Sequence, residues 1–212
     1  MEKLDIISDP ICPWCYIGKT RLEKALAEYE GHPFAIEWHP FQLNPDMPAE
    51  GMDRRAYLEA KFGGKEGAVR VYGGIAKEAE ASGLAINFEG IQRTPNTIDA
   101  HRLIHWAGLE ALQNDMVDAL FKAYFEDGKD IGDRAVLADL AQSVGLDRKV
   151  IARALETDAD IEMIRDRDAH SRKMGVTGVP TFVVAQQHVL SGAQPADLWV
   201  KVIEEISVED TE

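Results

Sequence analysis

Cys12 and Cys15 are the only cysteines in the chain, separated by Pro13 and Trp14. A structural disulfide framework uses more bridges over longer loops. A structural zinc site takes four ligands, commonly two cysteine pairs. Six histidines leave a mixed metal site as a lesser reading, beside two inert thiols. Two thiols at this spacing fit a redox pair best. They fall between a strand-like segment, residues 3–8, and a helical pattern that opens at Pro13. Proline suits a first helical turn because its missing N–H would be unpaired there anyway. Cys12 then sits near the N-cap, where free backbone N–H groups and the helix dipole favour a thiolate. One helical turn returns Cys15 beside it. The expected division of labour is an exposed nucleophile, Cys12, and a more buried resolving thiol, Cys15.

These residues need a scaffold, and the pattern along the chain supplies one. Phe34, Ile36 and Trp38 alternate with Ala35, Glu37 and His39, which predicts a second strand over 34–43. Prolines 40, 45 and 48 break regular structure after it. The middle reads as helices over 54–62, 69–82, 97–112 and around Met116–Phe125, with a short extended piece at 84–88. Asp133 and Asp147 are expected N-caps, and a longer helix follows over 158–174. Residues 181–185 and 188–190 predict a hairpin through Gln186 and Gln187, and a last helix runs over 195–206. The stretch Gly178-Val179-Pro180-Thr181-Phe182 places a proline just before the first hairpin strand, where a cis bond can serve. The resulting order is strand, helix, strand, a helical block, then helix, strand, strand, helix. The helical block looks inserted into an α/β unit whose halves must meet in space.

The motifs Ser8-Asp9-Pro10-Ile11-Cys12-Pro13-Trp14-Cys15-Tyr16-Ile17-Gly18, Pro40-Phe41-Gln42-Leu43-Asn44-Pro45, Thr94-Pro95-Asn96-Thr97, Ala100-His101-Arg102, Gly178-Val179-Pro180-Thr181-Phe182 and Ser191-Gly192-Ala193-Gln194 carry a resemblance. The sequence resembles the DsbA family of the thioredoxin superfamily, and within it the FrnE-like branch. The resemblance implies an α/β thioredoxin fold interrupted by a mostly helical inserted domain. Residues 1–45 and 171–212 would form the thioredoxin-like part and 46–170 the insertion. It also implies a cis Val179–Pro180 bond packed beside the cysteines, with Pro13 and Trp14 shaping the redox pair. Substrate would meet the Val179 backbone in β fashion, next to Thr181, with Asn96 and His101 facing the cleft. Exported oxidases of the family carry histidine where this chain has Trp14. The indole offers a thiolate less polar support, so a pair less oxidising than theirs is expected, nearer the middle of the superfamily's span of roughly -270 to -120 mV.

Glu37 is a further candidate. It lies on the second strand, expected to be central, between apolar Ile36 and Trp38. A buried carboxylate below Cys15 could accept that thiol's proton; the alternative is a solvated or salt-bridged glutamate. Asp9 reads as a turn residue. His101 and His105 are four apart on one helix but lack a matched third ligand, so no metal site is expected there.

With 212 residues, 45% hydrophobic and 28% charged, the chain is long enough for a substantial core. A net charge of -14 argues against nucleic acid and anionic membranes as partners. No basic leader precedes a long apolar stretch, and no run reaches the roughly 18 apolar residues of a spanning helix. The expectation is a cytoplasmic thiol–disulfide oxidoreductase that meets a thiol- or disulfide-bearing protein or peptide, or glutathione as co-substrate, with no resident cofactor. Two other classes compete. Glutathione-dependent isomerases and transferases related to 2-hydroxychromene-2-carboxylate isomerase share the fold, but use a single hydroxyl where this chain has its first thiol. A holdase would bind extended clients without turnover.

Overall fold

The computed structural model describes residues 1–29 and 31–209. Strand β1 (Glu2–Ser8) leads into helix α1 (Pro13–Leu26) and strand β2 (Phe34–Pro40). A helical region follows: α2 (Arg54–Phe62), α3 (Lys65–Ala81), α4 (Ile98–Leu109), α5 (Gln113–Phe125), α6 (Arg134–Ser143), α7 (Arg148–Leu155) and α8 (Ile161–Lys173). Strands β5 (Thr181–Val184) and β6 (His188–Ser191) and helix α9 (Ala196–Glu209) close the chain. Two short strands, β3 (Met52–Asp53) and β4 (Arg93–Thr94), pair antiparallel inside the helical region. The chain is therefore α/β, with a mostly helical region inserted between β2 and β5.

The main sheet runs β2-β1-β5-β6. Parallel pairing of β1 with β2 sets Asp5 opposite Glu37, and antiparallel pairing of β1 with β5 sets Ile7 opposite Thr181. The second strand is thus an edge, not the central strand expected. Its exposed backbone is covered by α5: Trp38 donates its N–H to Gln113 Oε1 at 2.9 Å, and Gln113 Nε2 donates back to the Trp38 carbonyl at 3.2 Å. A side-chain amide here imitates a neighbouring strand and protects the edge. The Trp38 indole also donates to Asn114 Oδ1 at 3.1 Å.

Asp133 and Asp147 cap α6 and α7, each accepting two backbone N–H groups. The extended piece expected at 84–88 does not become a strand. Leu84, Ile86 and Phe88 pack onto the core, and the segment's backbone bonds to helix ends instead of a strand, Leu84 N–H to the Ala79 carbonyl at 2.9 Å and Asn87 N–H to the Phe125 carbonyl at 2.7 Å. The main core is continuous from Leu4 and Ile6 through Met116, Leu120 and Phe121 to Phe182 and Trp199. Tyr16 of α1 stacks on Phe121 and Phe125 of α5, centroids 5.0 and 5.7 Å away. Among the described residues no helix is long and apolar enough to cross a membrane.

Candidate active site

Cys12 is the N-cap of α1 and Pro13 its first residue. The turn before it is built by Asp9, whose carbonyl accepts the Cys12 N–H at 2.9 Å. The Cys15 N–H returns to the Cys12 carbonyl at 3.0 Å, so the two thiols lie one turn apart at the open end of the helix. Both are free thiols. Cys15 is fully enclosed. Burial pushes its pKa well above the usual thiol value, so that it is a weaker acid, and the adjacent Cys12 adds to the effect, opposed by bonds from Ser8 and the Asp9 backbone.

Cys12 was expected to be exposed, yet it is only 3% exposed. Its thiol donates to the Val179 carbonyl at 3.5 Å. The insertion explains the burial: α2 and α3 bring Phe62, Tyr72 and Ile75 over it, and a pocket of about 300 Å³ remains between them and the Gly178–Val179 backbone. Trp14 stands at the mouth, 37% exposed. The Val179–Pro180 bond is cis. Thr181 is buried, and its hydroxyl donates to the Gly178 carbonyl at 2.8 Å. It braces the loop that presents Val179 instead of facing substrate.

Other expected site residues lie elsewhere. Glu37 is not a buried acid below Cys15. Its side chain is 41% exposed and paired with Lys3 at 3.0 Å and Arg167 at 3.1 Å. Although burial alone would raise it, those cations and His39 hold it below the usual carboxylate range. Its edge-strand position is the reason. Asn96 is spent on the chain itself: its Oδ1 accepts from Ile98 N–H at 3.0 Å and its amide donates to the Met47 carbonyl at 2.6 Å. His101 is buried behind the Asp9 turn, 3.3 Å from the Phe41 carbonyl, and does not line the Cys12 pocket. Burial lowers it to about 4, which leaves it neutral at pH 7.

The buried acid is Asp9. It is fully enclosed and accepts N–H groups from Ile11 at 3.3 Å and Leu43 at 2.7 Å. Burial raises it to about 7 against those bonds and one from Thr97. Its carboxylate also lies 3.9 Å from His101 Nε2. Its place three residues before Cys12 was visible; that the chain would close over it was not. Thr94, the first residue of the Thr94–Thr97 motif, does line the Cys12 pocket; Arg54 and Tyr124 line it too and carried no local signal, because only tertiary folding brings them there.

A model of the DSBA-like thioredoxin domain matches residues 3–204. The chain belongs to the DSBA-like thioredoxin family. Family relatives extend over nearly the whole chain. The protein YwbO of Bacillus subtilis (strain 168) is 30% identical over 201 residues, 94% of each chain. A probable DsbA oxidoreductase from Streptomyces coelicolor superposes with a TM-score of 0.85 at 31% identity, covering 97% of this chain and 89% of its own. The cytosolic disulfide reductase DsbM from Pseudomonas aeruginosa, solved with GSH, shares the fold at a TM-score of 0.69 and 24% identity, covering 96% and 98%. A 2-hydroxychromene-2-carboxylate isomerase also shares it, with a TM-score of 0.76 at 16% identity over 99% and 98%.

Proposed function

We propose that this DSBA-like chain catalyses thiol–disulfide exchange, with Cys12 as nucleophile and Cys15 as resolving thiol, in the manner of the FrnE-like branch. The carrying observation is Cys12 at the N-cap of α1, inside a pocket and against the Val179 carbonyl, with Cys15 enclosed one turn behind. Attack by the Cys12 thiolate on a disulfide RSSR forms the Cys12–SR bond and releases RS⁻. Cys15 then attacks Cys12, a Cys12–Cys15 bond forms, and the second RS⁻ leaves with the Cys15 proton. Substrate is reduced by two electrons and the pair is oxidised by two; two equivalents of a second thiol, such as glutathione, restore it and leave as their own disulfide. The raised pKa of Cys15 suits this order, because a thiol held protonated does not compete for the first attack.

Pocket size favours a small disulfide or an extended segment over a folded surface. About 300 Å³ is at the low end of small-molecule sites. The cytosolic DsbM neighbour, solved with GSH, supports glutathione as co-substrate and a cytoplasmic setting. The chemistry needs no resident cofactor. Cys12→Ser should abolish turnover of glutathione mixed disulfides, while Cys15→Ser should accumulate a stable Cys12 adduct visible by intact mass. An adduct on Cys15 in the wild type, or faster alkylation of Cys15 than Cys12, would reverse the roles. A glutathione-dependent isomerase would instead retain activity without net oxidation of either thiol.

A further inference from the structure

Arg54 opens α2 and is 6% exposed. It lines the same pocket as Cys12. Its Nη1 donates to the Tyr124 hydroxyl at 3.2 Å, and its guanidinium carbon lies 4.9 Å from the centroid of the Tyr72 ring. Its Nη2 has no hydrogen-bond partner among the described residues. The neighbouring Thr94 hydroxyl, 1% exposed, interacts with Tyr124 but closes no hydrogen bond of normal geometry. The chain carries 37 acidic residues, yet none of those described pairs with this cation. Arg102, the other deeply buried arginine in this region, makes four hydrogen bonds including one to Asp99. A buried guanidinium with an unmet fork is costly to hold and well shaped for a carboxylate.

We propose that Arg54, with Thr94 beside it, receives a carboxylate of the substrate, so that the Cys12 pocket selects small acidic disulfides. This rests on the redox reading above and names its substrate class. Lys61, exposed and also lining the pocket, adds a second cation toward the rim. The net charge of -14 repels anions at long range, but salt screens exposed charges beyond about 8 Å at physiological strength. A cation buried in the wall of a pocket, as Arg54 is, is screened far less, so the local charge decides selectivity. Arg54 is a specificity residue here; the reacting atoms remain the sulfurs of Cys12, Cys15 and the substrate.

The test uses the full reduced chain and three disulfides: glutathione disulfide, its carboxyl-esterified form, and neutral bis-hydroxyethyl disulfide. Stopped-flow tryptophan fluorescence follows oxidation of the cysteine pair. The wild type should oxidise with glutathione disulfide at least about tenfold faster than with the ester, the scale of one charge-assisted contact. Arg54→Gln should bring that ratio toward one, and Arg54→Lys should retain part of it. A wild-type ratio near one overturns the proposal, as does an unchanged ratio in Arg54→Gln. If Arg54→Gln does not fold, binding of S-methylglutathione against its ester to the wild type decides by the same comparison. Oxidation by all three disulfides at equal rates sinks the role of Arg54 and leaves the redox reading standing. Oxidation by none of them removes the redox reading and this inference with it.

Discussion

Asp9 sits where two demands on a carboxylate conflict. Its oxygens accept three hydrogen bonds that favour the charged form, yet complete burial outweighs them and raises it from 3.8 to about 7. The folded state therefore prefers the protonated acid. That contribution to stability is fully present below about pH 4 and is lost as pH rises through about 7. His101, 3.9 Å away, works in the opposite direction. Lowered to about 4 by burial, it contributes stability above its ordinary 6.5 that is lost as pH falls through about 4. Comparing the wild type with Asp9→Asn isolates the first effect, since His101 is common to both. The wild-type advantage in urea unfolding should shrink between about pH 4 and about pH 8, by on the order of 4 kcal/mol at most. An advantage that grows with pH would show that Asp9 is held ionised. The sequence placed an aspartate in this turn but could not reveal its burial. That depends on Leu43 and Thr97 closing over it, and both are distant in the chain.

Helix α1 approaches the Val179–Pro180 loop so closely that a side chain would fit only if its neighbours shifted by a few tenths of an ångström, and Gly18 is where it does so. A Cβ there would meet Pro180 Cγ at 3.1 Å, Phe182 Cζ at 3.3 Å and the Ala193 backbone at 3.4 Å. In a helix interior, glycine costs about 1 kcal/mol relative to alanine. Gly18→Ala recovers that, but overpacking costs about 1–3 kcal/mol when neighbours cannot yield. Phe182 is held edge-on against Trp199 at 4.8 Å, and the proline ring is fixed to its backbone. The expected result is a net loss of about 1 kcal/mol, read from the denaturant midpoint, with slower attack by Cys12 as the Val179 carbonyl moves off it. Improved stability would show that the loop gives way freely. At this scale much was legible. The Cys12–Cys15 junction, the Pro180 loop and the caps at Asp133 and Asp147 each follow from local rules, and the structure has all of them. What failed was strand order. Alternation located β2 but said nothing about its neighbours, so Glu37 was assigned to a buried central position that an edge strand does not provide.

Across the whole molecule, the helical insertion and the sheet share one apolar interior, and neither closes alone. Removing α5 would bare the β2 backbone that Gln113 covers and free the Trp38 indole from Asn114. It would also strip Phe121 and Phe125 from Tyr16 and leave buried Lys19 with Glu23 as its one remaining carboxylate. Lost aromatic packing and an uncovered strand edge are each expensive. A separately folded helical domain would therefore expose its seam at a cost that domains of typical stability, about 5–15 kcal/mol, cannot absorb. The expected behaviour is a single unfolding transition despite a length above the usual two-state range. The probes report on different places. Trp199 lies in the thioredoxin-like core, Trp38 at the seam and Trp106 on α4 of the insertion. Far-ultraviolet dichroism is weighted toward α2–α8. Urea curves from tryptophan fluorescence and from dichroism should superimpose, with the same midpoint and slope. Two separated midpoints, or a fluorescence curve split into two steps, would mean that the insertion unfolds independently of the sheet beneath it.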